Sequence, residues 1–110
     1  MPYNWSMFSF VETKLFTRLV AEYLADDEYA RLQALLVANP EADTVIPGSG
    51  GVRKLRWRAP GRGKRGGYRV IYFIRRSPDI FWMLTMYSKN VIDNISPQVL
   101  KQIRQEIENG

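Results

Sequence analysis

GGVRKLRWRAPGRGKRGGYRVIYFIRR, residues Gly50 to Arg76, interleaves two kinds of side chain with conflicting demands. Between Arg53 and Arg76 it carries ten of the sixteen basic residues of this 110-residue chain, and no acid occurs between Asp43 and Asp79. Yet Val52, Leu55, Trp57, Val70, Ile71, Tyr72 and Phe73 run among the charges, which a disordered basic tail would lack. Apolar residues at strand spacing require a packed core, so the cations are mounted on ordered structure and turned toward one surface. Concentrated positive charge repels itself, and the surface that tolerates it is one built for a polyanion, most often nucleic acid.

On the strand Val52 to Arg58, alternation puts Arg53, Leu55 and Trp57 on one face and Lys54, Arg56 and Arg58 on the other. Three cations two residues apart stand roughly 7 Å from each other, a spacing that suits successive phosphates. The loop Ala59 to Gly66 adds Arg62, Lys64 and Arg65, and the next strand adds Arg69. The loop glycines at 61, 63, 66 and 67 allow close backbone approach to a ligand, but no GxxxxGK[ST] phosphate loop is present. Lysines on an edge strand can serve only to prevent aggregation. Here the charge density and the preference for Arg, which grips phosphate in a bidentate fork, favour phosphate binding.

Outward from this stretch the chain is balanced differently. Net charge is +5, but seven acids lie between Glu12 and Asp43 and four between Asp79 and Glu108, so the protein has two electrical faces. The length and the 45% apolar content suit one domain spanning 1–110. There is no cysteine and no histidine, which removes disulfides, thiolate chemistry, Cys/His zinc sites and the usual base for neutral pH. No metal or cofactor is expected. Met1-Pro2-Tyr3-Asn4-Trp5 lacks the charged and apolar regions of a secretory leader, and no apolar run approaches membrane-spanning length, so a cytoplasmic location is expected.

The periodicities predict a short strand at Met7 to Val11 and a helix from Lys14 to about Leu24 capped by Thr13, with Leu15, Phe16, Leu19, Val20 and Tyr23 inward. A second helix, Glu28 to Ala38, restarts at Asp26 or Asp27, with Tyr29, Leu32, Leu35 and Leu36 inward, and ends at Asn39-Pro40. Pro47 to Gly51 breaks the chain before the strand at Val52. Strands follow at Tyr68 to Arg75 and Ile80 to Tyr87 around a Ser77-Pro78-Asp79 turn; the last is apolar on both faces and belongs in mid-sheet. Ser96-Pro97 opens a final helix to about Glu108 with Val99, Leu100, Ile103 and Ile107 as its stripe. The class is α+β, in the order β-α-α-β-β-β-α, with an antiparallel-dominated sheet.

RNA carries its own nucleophile, the 2′-hydroxyl, so a cleaving protein needs to align it and manage charge and protons. Arg56, Arg65 and Arg69 are candidates to neutralise the pentavalent phosphate. Without histidine the proton acceptor is Lys54, Tyr87, an acid, or nothing specific. Tyr87 is also placed to stack on a base or reach a phosphate, with Lys89 two residues on; as a lone aromatic it fits a core or rim position better than a functional one. Arg53, Arg58, Arg62 and Lys64 are candidates to hold the RNA strand. Trp57 shares a face with Leu55 and is expected in the core.

The segments Gly48 to Arg56, Gly61 to Tyr72 and Leu84 to Asn90 together resemble the RelE superfamily of bacterial toxins, and most closely its HigB-type branch. That branch carries a G-x-G-G-hydrophobic-R-K strand, a G-x-G-K-R-G-G-x-R segment and a Y-x-K-N ending. The resemblance implies a compact microbial-ribonuclease-like domain, cleavage of messenger RNA in the ribosomal A site, and a cognate antitoxin, of the helix-turn-helix HigA type for this branch. By position it implies site roles for Lys54, Arg56, Arg69 and Lys89. Asn90 stands where well-studied members have a further arginine, Ser96 near their catalytic tyrosine, and Val91 where the branch often has an acid, so the general base stays open. The rival readings are a non-catalytic RNA- or ribosome-binding module and a basic domain that only recognises an acidic antitoxin.

Overall fold

The computed structural model describes residues 8–42, 44–58, 67–75, 79–88 and 96–109. Its elements are β1 (Phe8–Glu12), α1 (Lys14–Tyr23), α2 (Asp26–Ala38), β2 (Thr44–Val45), β3 (Arg53–Trp57), β4 (Tyr68–Arg75), β5 (Asp79–Ser88) and α3 (Pro97–Asn109). The class is the α+β one expected, with one strand more: β2 was not foreseen. Asp79, expected in a turn, begins β5 and pairs with Phe8.

Thr13 starts α1 as its spacing predicts. Its hydroxyl accepts from the Phe16 N–H at 3.0 Å and donates to the Leu84 carbonyl at 2.7 Å, while its own N–H donates to Met83 at 3.1 Å. At α2 the cap position is Ala25, which has no side chain to offer; Glu28 instead accepts from the Ala25 N–H at 2.9 Å. Asp26, Asp27 and Glu28 in the first turn complement the helix dipole. Two residues expected inward face out: Leu15 and Leu35 are 44% and 37% exposed. The buried stripes are centred on Phe16 and Val20 in α1, and on Leu32 and Leu36 in α2 with Val37 beside them. Residues four apart share one line on a helix, which puts Leu15 and Leu35 at the stripe's margin.

The sheet order is β1-β5-β4-β3-β2, with β1 parallel to β5 and the other pairs antiparallel. β5 therefore lies inside the sheet, which its two apolar faces require. Between β4 and β5 the register shifts: Ile71 pairs with Thr85 but Tyr72 with Met83, so Leu84 is an extra residue in a bulge. On one face Leu55, Trp57, Val70, Tyr72, Phe81, Met83 and Met86 pack with the buried residues of α1 and α2. On the other, Val52, Ile71, Phe73 and Leu84 pack with Leu100 of α3, with Ile103 and Ile107 alongside. Arg104 lies over the Phe73 ring at 5.3 Å. Among the described residues no helix is long and apolar enough to cross a membrane.

The breaker cluster after β2 folds into a tight turn. Ile46 donates to Val52 at 2.8 Å, and the fully buried Ser49 hydroxyl donates to Ile46 at 2.6 Å while accepting from the Val52 N–H at 3.0 Å. Gly48, Gly50 and Gly51 take φ of 77°, 78° and 100°, values that a side chain resists.

Candidate nucleic-acid interface

The site is built from strand alternation and cross-strand register. Leu55 and Trp57 of β3 enter the core under α1 and α2, which turns Lys54 and Arg56 to the opposite face, the face that carries α3. In the β3–β4 ladder Arg56 stands opposite Arg69, and in the β4–β5 ladder Arg69 stands opposite Tyr87. Lys54 heads the neighbouring row, opposite Ile71, itself opposite Thr85. α3 covers this face where Ile71 and Phe73 are buried, whereas Arg56 is exposed and Arg69 half-buried. The two arginines thus occupy the open part of a sheet face whose remainder is closed by a helix.

Lys54, Arg56 and Arg69 are brought together, and Arg58, exposed just past β3, continues the alternation. Among the described residues neither Lys54 nor Arg69 forms an ion pair with a carboxylate. Arg53 is not part of this group. It lies on the other face, its side chain 17% exposed, and is paired with Glu41 at 3.6 Å. Tyr87 is in the row but only 4% exposed, packed among the residues under α3. A ring so enclosed offers no face to a base, so the expected stacking role does not fit its placement. Trp57 is buried, as its spacing predicts. Arg62, Lys64, Arg65 and Lys89 lie outside the described residues.

Gly67 serves a different purpose from the one anticipated. A Cβ there would meet the Trp57 carbonyl oxygen at 2.1 Å. Its missing side chain makes room for the β3 backbone at the end of the strand pair that carries the arginines.

Two features had no signal in the sequence. Lys54, with Thr44, Val45, Ile46 and Pro47, lines a pocket of about 210 Å³ beside the cation row. Away from the site, the Tyr29 phenol donates to Glu12, whose other oxygen accepts from the Thr17 hydroxyl at 2.7 Å. Burial, and then the Glu12 carboxylate beside it, hold the Tyr29 phenol well above its ordinary pKa. This knot ties β1, α1 and α2 on the side of the sheet away from the arginines.

A family model described as the RelE toxin of the RelE/RelB toxin-antitoxin system matches residues 10–108. The fold is similar to that of a mutant of the E. coli toxin RelE in its free state, at 11% identity and a TM-score of 0.58, covering 87% of this chain and 95% of that one. A RelE–RelB complex from Pyrococcus horikoshii OT3 matches at 20% identity and a TM-score of 0.44, over 78% of this chain and 99% of that one.

Proposed function

The chain belongs to the RelE toxin family of toxin-antitoxin systems, and from that premise we propose that it is a ribosome-dependent endoribonuclease of the HigB-type branch, cutting messenger RNA in the ribosomal A site. The observation that supports this reading is the pair Arg56 and Arg69, in register on the open part of the sheet face. In the reaction a 2′-hydroxyl oxygen attacks the adjacent phosphorus and the 5′-oxygen leaves, yielding a 2′,3′-cyclic phosphate and a 5′-hydroxyl end. The pentavalent intermediate carries more charge than the diester, and guanidinium groups held at that position stabilise it more than the ground state. Arg58 would track the flanking strand, with Arg62, Lys64, Arg65 and Lys89 as the further candidates that the sequence offers. The ribosome would hold the messenger with the nucleophile in line. The setting would be the cytoplasm, with a HigA-type antitoxin silencing the toxin by covering the cations or by barring entry to the ribosome.

The enclosed Tyr87 and the lack of histidine leave the proton acceptor unassigned, which favours a second reading: occupancy of the ribosome without cleavage. Toeprinting on translating ribosomes separates the two. The nuclease gives messenger cut at the A site, and Lys54→Ala and Arg69→Ala should each abolish it with the fold intact. Stalled but uncut messenger would establish occupancy; undiminished cutting by both variants would remove the site assignment.

A further inference from the structure

Beside the cation row lies a pocket that the RNA-binding reading leaves without a role. Thr44 stands opposite Lys54 in the β2–β3 register, so both share a face with Arg56 and Arg69. Lys54 precedes Arg56 by two residues, a displacement of roughly 7 Å along the strand, or about one nucleotide step. Val45, Ile46 and Pro47 give the pocket apolar walls, and the polar lining side chains are Thr44 and Lys54. At about 210 Å³ it is smaller than the 300–1,000 Å³ of sites for whole drug-sized ligands. It has room for one flat heteroaromatic ring system, not for a complete nucleotide. No acid lies between Asp43 and Asp79, so an anionic strand following β3 meets no repulsion from that segment on reaching this place.

We propose that this pocket receives the base of the nucleotide adjoining the phosphate held by Arg56 and Arg69, and that the base it selects is guanine. The proposal rests on the RNA-binding reading above. An ammonium is a donor only, and guanine presents two acceptors, O6 and N7, on a single edge. The apolar walls replace the stacking partners that a base loses when it leaves the strand. Used in this way Lys54 acts in its charged form, which takes it off the list of proton acceptors and makes it the residue that reads the base.

The test is equilibrium binding of short labelled single-stranded oligoribonucleotides, identical except that one position is guanosine, adenosine, uridine or abasic. Wild type should bind the guanosine strand at least ten-fold more tightly than the abasic one, with adenosine and uridine between. Thr44→Trp, at an exposed edge-strand position on the same face as Lys54, fills the pocket and should erase that ratio. Arg69→Ala should weaken all strands alike and lower the slope of log affinity against log salt by about 0.7. If Arg69→Ala weakens every strand but Thr44→Trp keeps the ratio, the pocket assignment falls and the RNA site stands. If Arg69→Ala weakens none, both fall. Should Thr44→Trp fail to fold, amide shifts of wild type with guanosine 5′-monophosphate against ribose 5-phosphate decide: the nucleotide alone should move Thr44, Val45 and Ile46, and equal shifts from both ligands would overturn the proposal.

Discussion

Arg56 and Arg69 face each other directly across the antiparallel ladder of β3 and β4. Like charges at such positions destabilise a sheet, by roughly 0.2–1 kcal/mol. A surface selected only for solubility would have alternated signs here. On that ground the pair is expected to be a local stability cost at the place where the proposed RNA-binding function needs charge, the trade seen where activity opposes stability.

Replacing Arg69 with Thr should therefore raise stability while weakening RNA binding. At low ionic strength the melting temperature should rise by a few degrees, using about 4–8 °C per kcal/mol for a domain near this size. The gain should shrink in 1 M salt, where charges a few ångströms apart are screened. Thermal melts at both salts check this; a lower melting temperature at low salt would show that the pair is not repulsive.

Thr13 joins the start of α1 to the bulge in β5 with a single hydroxyl, accepting from Phe16 and donating to Leu84. Thr13→Val keeps the shape and removes both bonds, leaving a helix N–H and a bulge carbonyl without their partner. The expected loss is about 1–3 kcal/mol by denaturant unfolding. Thr13→Ser should retain most of the stability. Undiminished stability in Val together with a loss in Ser would point to the methyl group and against the hydroxyl.

Gly67→Ala places a methyl group against the Trp57 carbonyl, and backbone cannot step aside as a flexible side chain can. We expect a destabilisation of about 1–3 kcal/mol and faster amide exchange at Trp57 and Tyr68, where the β3–β4 ladder ends. Unaltered exchange there would contradict the close approach.

The Tyr29 phenol keeps its proton in the folded state because burial and Glu12 both oppose ionisation. The unfolded chain releases it near the ordinary value of 10.0. Above that pH the folded state binds the extra proton, so this contribution is full below pH 10 and declines as pH rises. Tyr29→Phe should cost about 1–2 kcal/mol at pH 8. Its stability should also fall less steeply than wild type between pH 10 and 11. Parallel slopes for the two proteins, measured by urea unfolding, would remove Tyr29 from the alkaline response.

Local chemistry made much of the molecule readable from its residues. Thr13, Asn39-Pro40 and Ser96-Pro97 mark helix ends through caps and forbidden dihedrals, which act within a few residues. Alternation from Val52 to Arg58 separated Lys54 and Arg56 from Leu55 and Trp57, because a strand allows a side chain only two directions. Long-range pairing decided the rest. That β1 lies parallel to β5, that Thr44 and Val45 extend the sheet, and that Leu84 bulges all depend on partners far apart in the chain. The same pairing set Arg56 against Arg69, tied Arg53 to Glu41 and enclosed Tyr87. Residue types declare what a side chain can do; which neighbours it meets is a property of the assembled sheet, and no local period encodes it.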